Sequence, residues 1–379
     1  MSWPWLRPRA EGVVTIVHLS RTVLNAHHAS THSDAQNIVV ADPRTDPRWH
    51  QLASGPGGNL FISPPWIDAI SGTYGFEALC RMAIGAGGPT AGLAWVPISD
   101  IRGDRISSLP FCDRADPPVD EVRHWVAMRD GVVGPTAPFT LRCFDTAIPA
   151  ADRSLHRVGS AAWHGTVLDA DIDEIHRRLS KHARRNIAIA QRDGVRVEAG
   201  TGLDAVRSFH QLHVQLRKRK YRLLAQPIEL FERIWQAFSG DEAVVTLLAH
   251  AEGELIAGGL FLVWGDTLYY KFGASRPEYL SLRPNEAIFW AGIRWGVVHR
   301  LRLLDWGCSD LDQPGLVAYK RKWATEERTI VTLRAGGEQA RASSEAGAVL
   351  SELTRLLTDE SVPDSITTRA ANILYRYFC

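Results

Sequence analysis

The chain has 379 residues, a hydrophobic content of 45% and a formal net charge of +1, which is ordinary for a soluble globular protein. Its longest apolar runs, such as "LIAGGLFLVW", reach about half of the ~20 residues that a membrane helix needs, so we expect no stable membrane insertion. The five scattered cysteines include no CxxC pair, which argues against a zinc knuckle or a redox motif and fits a reducing compartment.

The N-terminal stretch "GVVTIVHLSRTVLNA" is mildly apolar, but His18 and Arg21 interrupt it and no cleavage-like site follows. We therefore expect no secretory signal and a cytoplasmic location. The fourteen histidines show no HExxH pattern, so no metal site is expected.

Two stretches, 79–111 and 244–275, share one order of elements: a strand, a glycine turn, a second strand, a Gly-Asp turn and a third strand. Predicted helices precede each stretch, with "SPPW" opening the first one. This repetition predicts an α+β unit that is used twice. We divide the chain into an N-terminal extension (1–40), a first domain (41–165), a second domain (166–335) and a C-terminal helical extension (336–379).

A strongly basic segment lies near the middle of the chain. Residues 177–222 contain thirteen Lys or Arg and three acids, so the rest of the chain carries 30 bases and 39 acids. An apolar stripe from Ile172 to Ala190 predicts a helix, with Ser180 as an alternative start of a second helix. Such segregation of charge favours a polyanionic partner, and a solvated helix face is the alternative. The best candidates for polyanion contacts are Lys181, Arg184 and Arg185.

A second candidate site begins at "LRPNEAIFW". Pro284 and Asn285 start a predicted helix, and the free N–H groups of such a start suit a phosphate or a carboxylate. Arg283 beside them strengthens that reading, while an ordinary helix start with a solvated arginine is the alternative. Tyr270, on the strand before this helix, is predicted to line a cleft.

The third candidate is "LRLLDWGCSDLDQPGLVAYKRKWA". Asp305 and Asp310 lie at the end of a predicted strand, and either one could orient an amine or accept its proton. Lys320 lies one helical turn before Trp323, and its ammonium could stabilise the oxyanion of an acyl-transfer reaction. Cys308 offers a covalent route as an alternative, although a free cysteine is more often a small buried apolar residue.

These motifs together resemble the FemAB-like branch of the GNAT acyltransferase superfamily. The basic segment, "GAS…LRPNEAIFW", "DWGCSD" and "GLVAYKRKWA" follow the order and spacing of the family's second half, over about 171–330. The first half matches in its "SPPW" helix and in its three strands. The sequence departs from the family in having Ala324 after the tryptophan and Cys308–Ser309–Asp310 in place of a loop that contains arginine.

The resemblance implies a mixed α/β fold of two tandem GNAT-like domains, each a mostly antiparallel sheet flanked by helices. It also implies transfer of an aminoacyl or acyl group to an amine of a cell-envelope precursor or small metabolite in an interdomain cleft, with Lys320 facing the reacting carbonyl and Trp323 lining the cleft. No cofactor is expected to be tightly bound, and the donor is aminoacyl-tRNA or acyl-CoA. No coenzyme A pyrophosphate loop is recognisable before Pro284, which favours a tRNA donor. An N-acetyltransferase and a non-catalytic basic module for nucleic acid or anionic headgroups are the alternatives.

Overall fold

The computed structural model describes residues 37–134, 137–336 and 341–379. The predicted N-terminal extension lies outside the described residues, except for 37–40, which open the first strand. Among the described residues, no helix has the length and apolar character needed to cross a membrane.

The first half of the fold begins with a short strand and two helices, continues with three antiparallel strands, and ends with a helix and two strands. Its elements are β1 (Asn37–Ala41), α1 (Pro47–Ser54), α2 (Pro64–Tyr74), β2 (Leu79–Gly85), β3 (Gly88–Asp100), β4 (Gly103–Ser108), α3 (Val122–Asp130), β5 (Phe139–Phe144) and β6 (His156–Val167).

The second half has the same order, with additional helices. Its elements are α4 (Ile172–Arg178), α5 (Lys181–Arg192), β7 (Arg196–Gly200), α6 (Leu203–Arg219), α7 (Ile228–Ser239), β8 (Val244–Ala251), β9 (Glu254–Trp264), β10 (Thr267–Ser275), α8 (Pro284–Val298), β11 (Leu303–Asp310), α9 (Pro314–Arg321), β12 (Glu326–Ala335), α10 (Arg341–Leu357) and α11 (Asp364–Leu374).

The predicted repeat is present in the order of elements. A strand, two helices, a three-stranded meander, a helix and a further strand occur as β1-α1-α2-β2-β3-β4-α3-β5 and again as β7-α6-α7-β8-β9-β10-α8-β11. In both halves the strand after the meander is parallel to the meander's last strand, as β4 with β5 and β10 with β11. The predicted mixed α/β fold of two similar units in tandem is confirmed.

The halves share one sheet of twelve strands, in the order β1-β2-β3-β4-β5-β12-β6-β11-β10-β9-β8-β7. The last strand of each half is exchanged: β6 pairs with β11, and β12 pairs with β5. Strands β6 and β12 also pair with each other, so the centre of the sheet belongs to both halves. The predicted boundary after residue 165 falls within β6 and stays a prediction.

The basic segment forms two helices rather than one. Leu179 ends α4 in an extended conformation, and Ser180 caps α5 by accepting a hydrogen bond from the N–H of Ala183. The alternative start at Ser180 is therefore the one that the structure has. Residues Ala183, Ile187 and Ala190 are buried and form the inner face of α5, as the spacing predicts.

One hydrophobic core spans the two halves. Helices α2 and α7, which occupy equivalent places in the repeat, pack against each other. Trp66 and Ile70 of α2 lie in the same buried cluster as Phe231 and Ile234 of α7. Because residues of both halves are buried in this one cluster, their packing fixes the halves, and the strands that carry the site described next, relative to each other.

Candidate active site

The candidate site lies where β10 and β11 separate. These parallel strands pair from Thr267–Leu303 to Tyr269–Asp305, and among the described residues β11 has no strand partner on that side beyond Asp305. On its other side β11 pairs with β6, with an irregularity between Asp305 and Cys308. Cys308 is in register with Trp163 of β6, and its backbone N–H and carbonyl bond side chains at the place where β10 is no longer paired.

Two charged side chains bond that backbone. Lys320 donates from Nζ to the carbonyl oxygen of Cys308 at 2.8 Å, and the Cys308 N–H points to Oδ2 of Asp113 at an N···O distance of 3.4 Å. Lys320 is only 6% exposed although it lies near the end of α9. The lysine predicted to face the reacting carbonyl is thus held inside the molecule.

Asp113 comes from the first half, in the segment between β4 and α3, and forms an ion pair with Lys271 of β10 at 2.7 Å. The pair joins the two halves directly at the strand separation. Arg142 of β5 adds a further cation, since its guanidinium lies 3.6 Å from the sulfur of Cys308. A cluster of opposite charges that is largely shielded from water strengthens each interaction within it.

Gly307 allows the carboxylate of Asp113 to lie close to the backbone of β11. Its φ of +71° lies in the left-handed region, and a Cβ at this position would come within 2.6 Å of Oδ2 of Asp113. Its N–H also donates to Oδ1 of Asp305 at 2.7 Å. A glycine in "DWGCSD" is therefore needed both for the backbone conformation and for the close contact with the first half.

The charges of the cluster shift one another's protonation. Burial would raise the pKa of Asp113, but Lys271 and the other nearby cations outweigh it and hold the pKa below its usual value. Burial lowers the pKa of Lys320, and the charge of Lys271 adds to that effect while neighbouring acidic groups oppose it. The site therefore holds an ionised carboxylate next to an amine that loses its proton more readily than a surface lysine.

The two predicted catalytic aspartates differ in environment. Asp305 is 2% exposed, and burial raises its pKa although Arg114 lies close enough to oppose the rise. Asp310 is exposed at the end of β11, and no contact of its side chain with the buried cluster is recorded among the described residues. The structure brings Asp305 together with Lys320 and leaves Asp310 outside.

Aromatic rings fill the space behind the cluster. Phe289 of α8 stacks on Trp306 with ring centres 4.2 Å apart and lies edge-on to Tyr270 at 4.9 Å. Trp323 belongs to the same group but is only 1% exposed, in contact with Phe289. Trp323 was predicted to line the cleft and instead lies in the core, because it packs against Phe289 and Trp306. Tyr270 is partly buried at the edge of this group.

Helix α5 begins beside α9. The N–H of Ser180 donates to the carbonyl of Lys322 at 3.3 Å. Lys181, the first residue of α5, therefore lies close to the end of α9, the helix that carries Lys320. Lys181 and Arg185 are exposed, and Nε of Arg184 is buried and without a hydrogen-bond partner among the described residues. These three predicted contacts thus lie on one helix that adjoins the buried cluster.

Other cations of the basic segment have local partners. Arg177 and Arg178 pair with Glu174, and Lys218 is buried against Asp364 of α11 at 2.6 Å. Arg222 pairs with Glu360. The excess of positive charge in the sequence is therefore partly structural, because several of these side chains fix the C-terminal helices or their own helix.

The start of α8 carries a carboxylate of its own. Glu286, in the first turn, is 9% exposed and accepts a hydrogen bond from Nδ2 of Asn186 at 2.9 Å. Arg283 is exposed in a left-handed conformation, and Asn285 is partly buried. Glu286 therefore places a carboxylate where donor phosphates were predicted to bind. Arg283 is the cation at this helix start that could attract them.

Cys308 does not have the environment of a nucleophile. Burial raises the pKa of its thiol, with Asp113 adding to the rise and Arg142 opposing it. The thiolate form that attacks carbonyls is therefore disfavoured. What the site uses from Cys308 is its backbone, which both Lys320 and Asp113 contact.

Three members of the cluster were not predicted from the sequence: Asp113, Lys271 and Arg142. Lys271 could have been found, because a lysine within the largely apolar strand "LYYKFGAS" needs a partner for its charge when the strand is part of the sheet. Asp113 lies in an irregular segment, "FCDRADPP", 158 residues from Lys271 in the sequence, and nothing local pairs the two.

Comparison with known proteins gives three findings. The family model described as Acetyltransferase (GNAT) domain matches residues 176–321, which include α5, β10, β11 and Lys320. A lipid II:glycine glycyltransferase of Staphylococcus saprophyticus is 32% identical over 91 residues, or 22% of each chain. The UDP-N-acetylmuramoylpentapeptide-lysine N(6)-alanyltransferase of Weissella viridescens is 29% identical over 104 residues, or 26% of this chain and 30% of that protein.

The chain thus matches less than a third of the length of these two relatives. The crystal structure of FemX resembles a larger part: it has a TM-score of 0.60 with 15% identity, covering 74% of this chain and 93% of that one. At this level of identity the match shows that the fold is shared. The match covers more of the chain than the family model does, so it extends the likeness beyond residues 176–321.

Proposed function

Since residues 176–321 form a GNAT domain of the FemAB-like branch, we propose that the chain is an acyltransferase that forms an amide bond at the Lys320 cluster. The observation that carries the proposal is the position of Lys320. It is buried, bonded to the backbone of Cys308 at the separation of β10 and β11, and next to an ion pair that joins both halves. A merely structural surface lysine has no reason to be there.

The proposed reaction is direct attack of a neutral amine on an activated carbonyl. The new C–N bond forms as the carbonyl oxygen takes negative charge, and the bond to the leaving oxygen or sulfur then breaks. Lys320 directs one N–H to Cys308, and its remaining N–H groups are available to the developing oxyanion. Stabilising that charge in a water-poor site is the largest contribution a single side chain makes to this chemistry.

The amine must be held and must lose a proton. Asp113, kept ionised by Lys271, attracts the amine of the acceptor into the site. Asp305, whose pKa is raised by burial, is the proposed proton acceptor, because a base works best when its pKa approaches the working pH. Asp310, which is exposed, is left as a contact outside the cluster.

For the donor we favour an aminoacyl-tRNA over an acyl-CoA. No pyrophosphate loop precedes α8, and Glu286 places a carboxylate in its first turn. Helix α5 offers Lys181, Arg184 and Arg185 to a polyanion beside α9. The relatives named above transfer glycine and alanine, so an aminoacyl group and a cell-envelope acceptor are the natural candidates.

The test measures transfer and donor binding separately. Glycine or alanine from charged tRNA is supplied with lipid II or a UDP-linked muropeptide, and titration calorimetry compares charged tRNA with acetyl-CoA. Lys320→Ala is expected to lower kcat by about 10²–10³ with donor affinity retained, as for loss of one oxyanion donor. Lys322→Ala, two residues further on and partly exposed, is the matched control that keeps full activity.

Two outcomes would contradict the proposal. Unchanged turnover in Lys320→Ala would remove the oxyanion role, and nucleic-acid binding without transfer by the wild-type protein would favour a non-catalytic basic module. Binding of acetyl-CoA but not charged tRNA would replace the proposed donor and leave the acyltransferase assignment standing.

A further inference from the structure

A cavity of about 640 Å³ opens in the first half of the chain, and none of the residues that line it belongs to the Lys320 cluster. Its walls come from α1 and the stretch 55–58 that follows it, from the start of β3, from residues within 114–120 and 144–148, and from Arg328 of β12. Glycine and proline alone make up 55–58, so no long side chain projects from that wall. The volume is in the range of small-molecule binding sites.

Two arginines of this cavity share one aromatic ring. The guanidinium carbon of Arg114 lies 4.3 Å from the ring centre of Phe144, and that of Arg328 lies 3.5 Å from the same centre. Both contacts are cation–π interactions, which hold the planar guanidinium groups in place. Two cations fixed near one another are costly unless an anion joins them.

The carboxylates of the cavity are already bonded. Asp116 accepts hydrogen bonds from Arg114 at 2.6 Å and from the N–H of Phe144 at 2.8 Å. Asp120 is bonded to Nδ1 of His124 at 2.7 Å.

Arg328 has no such carboxylate. It donates to Oγ1 of Thr146 at 2.8 Å, and no carboxylate within ion-pair distance of it is recorded in the described part of the chain. Burial lowers the pKa of Arg328, and the charge of Arg114 adds to that effect, while the charges of Asp116, Glu326 and Asp145 oppose it without bonding the guanidinium. The cavity therefore contains a guanidinium that forms no direct ion pair among the described residues.

We infer that this cavity binds an anionic group of the acceptor, a phosphate or a carboxylate, between Arg114 and Arg328. Arginine suits both groups because its N–H donors match two oxygens at once. The assignment to the acceptor rests on the proposed function. It is supported by the closeness of Arg114 to Asp305, whose charges shift each other's pKa, and by the position of Arg114 directly after Asp113. An acceptor anchored at Arg114 is thus close to the residue proposed to accept the proton of its amine.

Calorimetry with two probes tests the site without any turnover. Inorganic pyrophosphate represents a phosphate-bearing acceptor, and N-acetyl-D-alanine represents a peptide carboxylate. Arg328→Gln is expected to lower the affinity for the probe that the wild-type protein binds by about tenfold or more, as for loss of a charge-assisted hydrogen bond. Arg328 is exposed, so the variant should fold; Arg321→Gln, at an exposed arginine that pairs with Glu327 outside the cavity, is the matched control.

The two probes identify which anion is bound. Selective loss of pyrophosphate binding in Arg328→Gln supports a phosphate, and selective loss of N-acetyl-D-alanine binding supports a carboxylate. Equal affinity in wild type and Arg328→Gln, or no binding of either probe by the wild-type protein, overturns the inference. Because donor and Lys320 play no part in this measurement, its failure would leave the acyltransferase proposal intact.

Discussion

The two halves of the molecule have the same order of elements. In each half the last strand of the meander pairs with the following parallel strand over three residues and then separates from it, and the two gaps that this leaves are filled differently. In the first half, 112–116 returns alongside β5: the N–H of Ala115 donates to the backbone carbonyl of Arg142 at 2.7 Å, and the carboxylate of Asp116 accepts from the N–H of Phe144. In the second half, the chain after β10 continues into a short helix over Pro277–Leu282 and then α8. Beyond Asp305 the open side of β11 is met by the side chains of Asp113 and Lys320.

The gaps of the two halves therefore differ in what they contain. Residues 112–116 fill the gap of the first half, and Asp113 of the same segment contacts Cys308 in the gap of the second half. Under the proposed function, the duplicated elements build one reaction site together, and the exchanged strands β6 and β12 join the halves beside it. Each prediction below tests one part of this division.

The largest effect is expected from breaking the ion pair that joins the halves. Asp113→Asn leaves Lys271 largely buried, only 10% exposed, without its carboxylate. Removing one partner of a buried pair costs about 3–5 kcal/mol, so the free energy of unfolding in urea should fall by that order and transfer should be lost.

A double variant separates the two effects. Asp113→Leu with Lys271→Met replaces the pair by apolar side chains, which is often neutral for stability. We expect stability to recover and transfer to stay low, because the amine has lost the carboxylate that attracts it. Recovery of both properties would mean that the pair only holds the halves together.

Gly307→Ala is expected to have the next largest effect. The added Cβ lies in left-handed backbone and within 2.6 Å of Asp113, so it strains the strand and pushes the carboxylate away. The cost is about 1–3 kcal/mol in stability, accompanied by a fall in kcat. Gly315→Ala in α9 is the control: nothing lies within 4 Å of a Cβ there, and alanine suits a helix. Equal effects of both substitutions would argue against a steric need for glycine in β11.

A third prediction concerns pH and the helix pair of each repeat. Helix α6 takes the place of α1, but it buries His213, and burial lowers the pKa of that histidine from 6.5 to about 3. Between these two values the unfolded chain binds more protons than the folded one, so stability falls as the pH falls below 6.5. The slope is about 1.4 kcal/mol per pH unit for one group.

Urea unfolding at several pH values measures that slope. His213→Leu should reduce the slope, and His210 and His164, whose pKa burial also lowers, should keep part of it. His182→Leu, at an exposed position of α5, should leave it unchanged. An unreduced slope in His213→Leu would assign the dependence to the other groups.

The sequence predicts the repeat well because glycine turns and strand patterns are local signals. It also predicts the inner face of α5, and it leads to Lys320 and Asp305 through one continuous motif. What it misses depends on distant contacts: the exchange of β6 and β12, the ion pair of Asp113 with Lys271, and the burial of Trp323. None of these follows from spacing, since each is decided by which surfaces meet when both halves fold.

The basic segment shows the same limit on a smaller scale. Its composition predicts a polyanion surface, yet Arg177, Arg178 and Lys218 are bonded to acids of their own helix or of α11. Charge counted along a sequence does not reveal these partners, because Lys218 and Asp364 are 146 residues apart. The exposed cations Lys181 and Arg185 of α5 are available to contact a ligand, as are exposed residues elsewhere in the segment such as Arg196, Arg219 and Lys220.

The smallest effect is expected at that helix, which has no basic equivalent in the first half. Replacing Lys181 and Arg185 by glutamine removes two exposed cations and should lower the affinity for charged tRNA by a few-fold. The slope of log affinity against log salt concentration should become shallower by about one unit for each phosphate contact that is lost. Filter binding from low to moderate salt gives both numbers. Arg177 and Arg192, which pair with Glu174 and Asp193, provide the control double variant, because glutamine there removes the same charge from α4 and from the far end of α5. If both double variants weaken the binding of tRNA equally, the attraction comes from the overall charge of the basic segment. A loss confined to Lys181 and Arg185 places the donor at the start of α5, which contacts the chain just after the helix that carries Lys320.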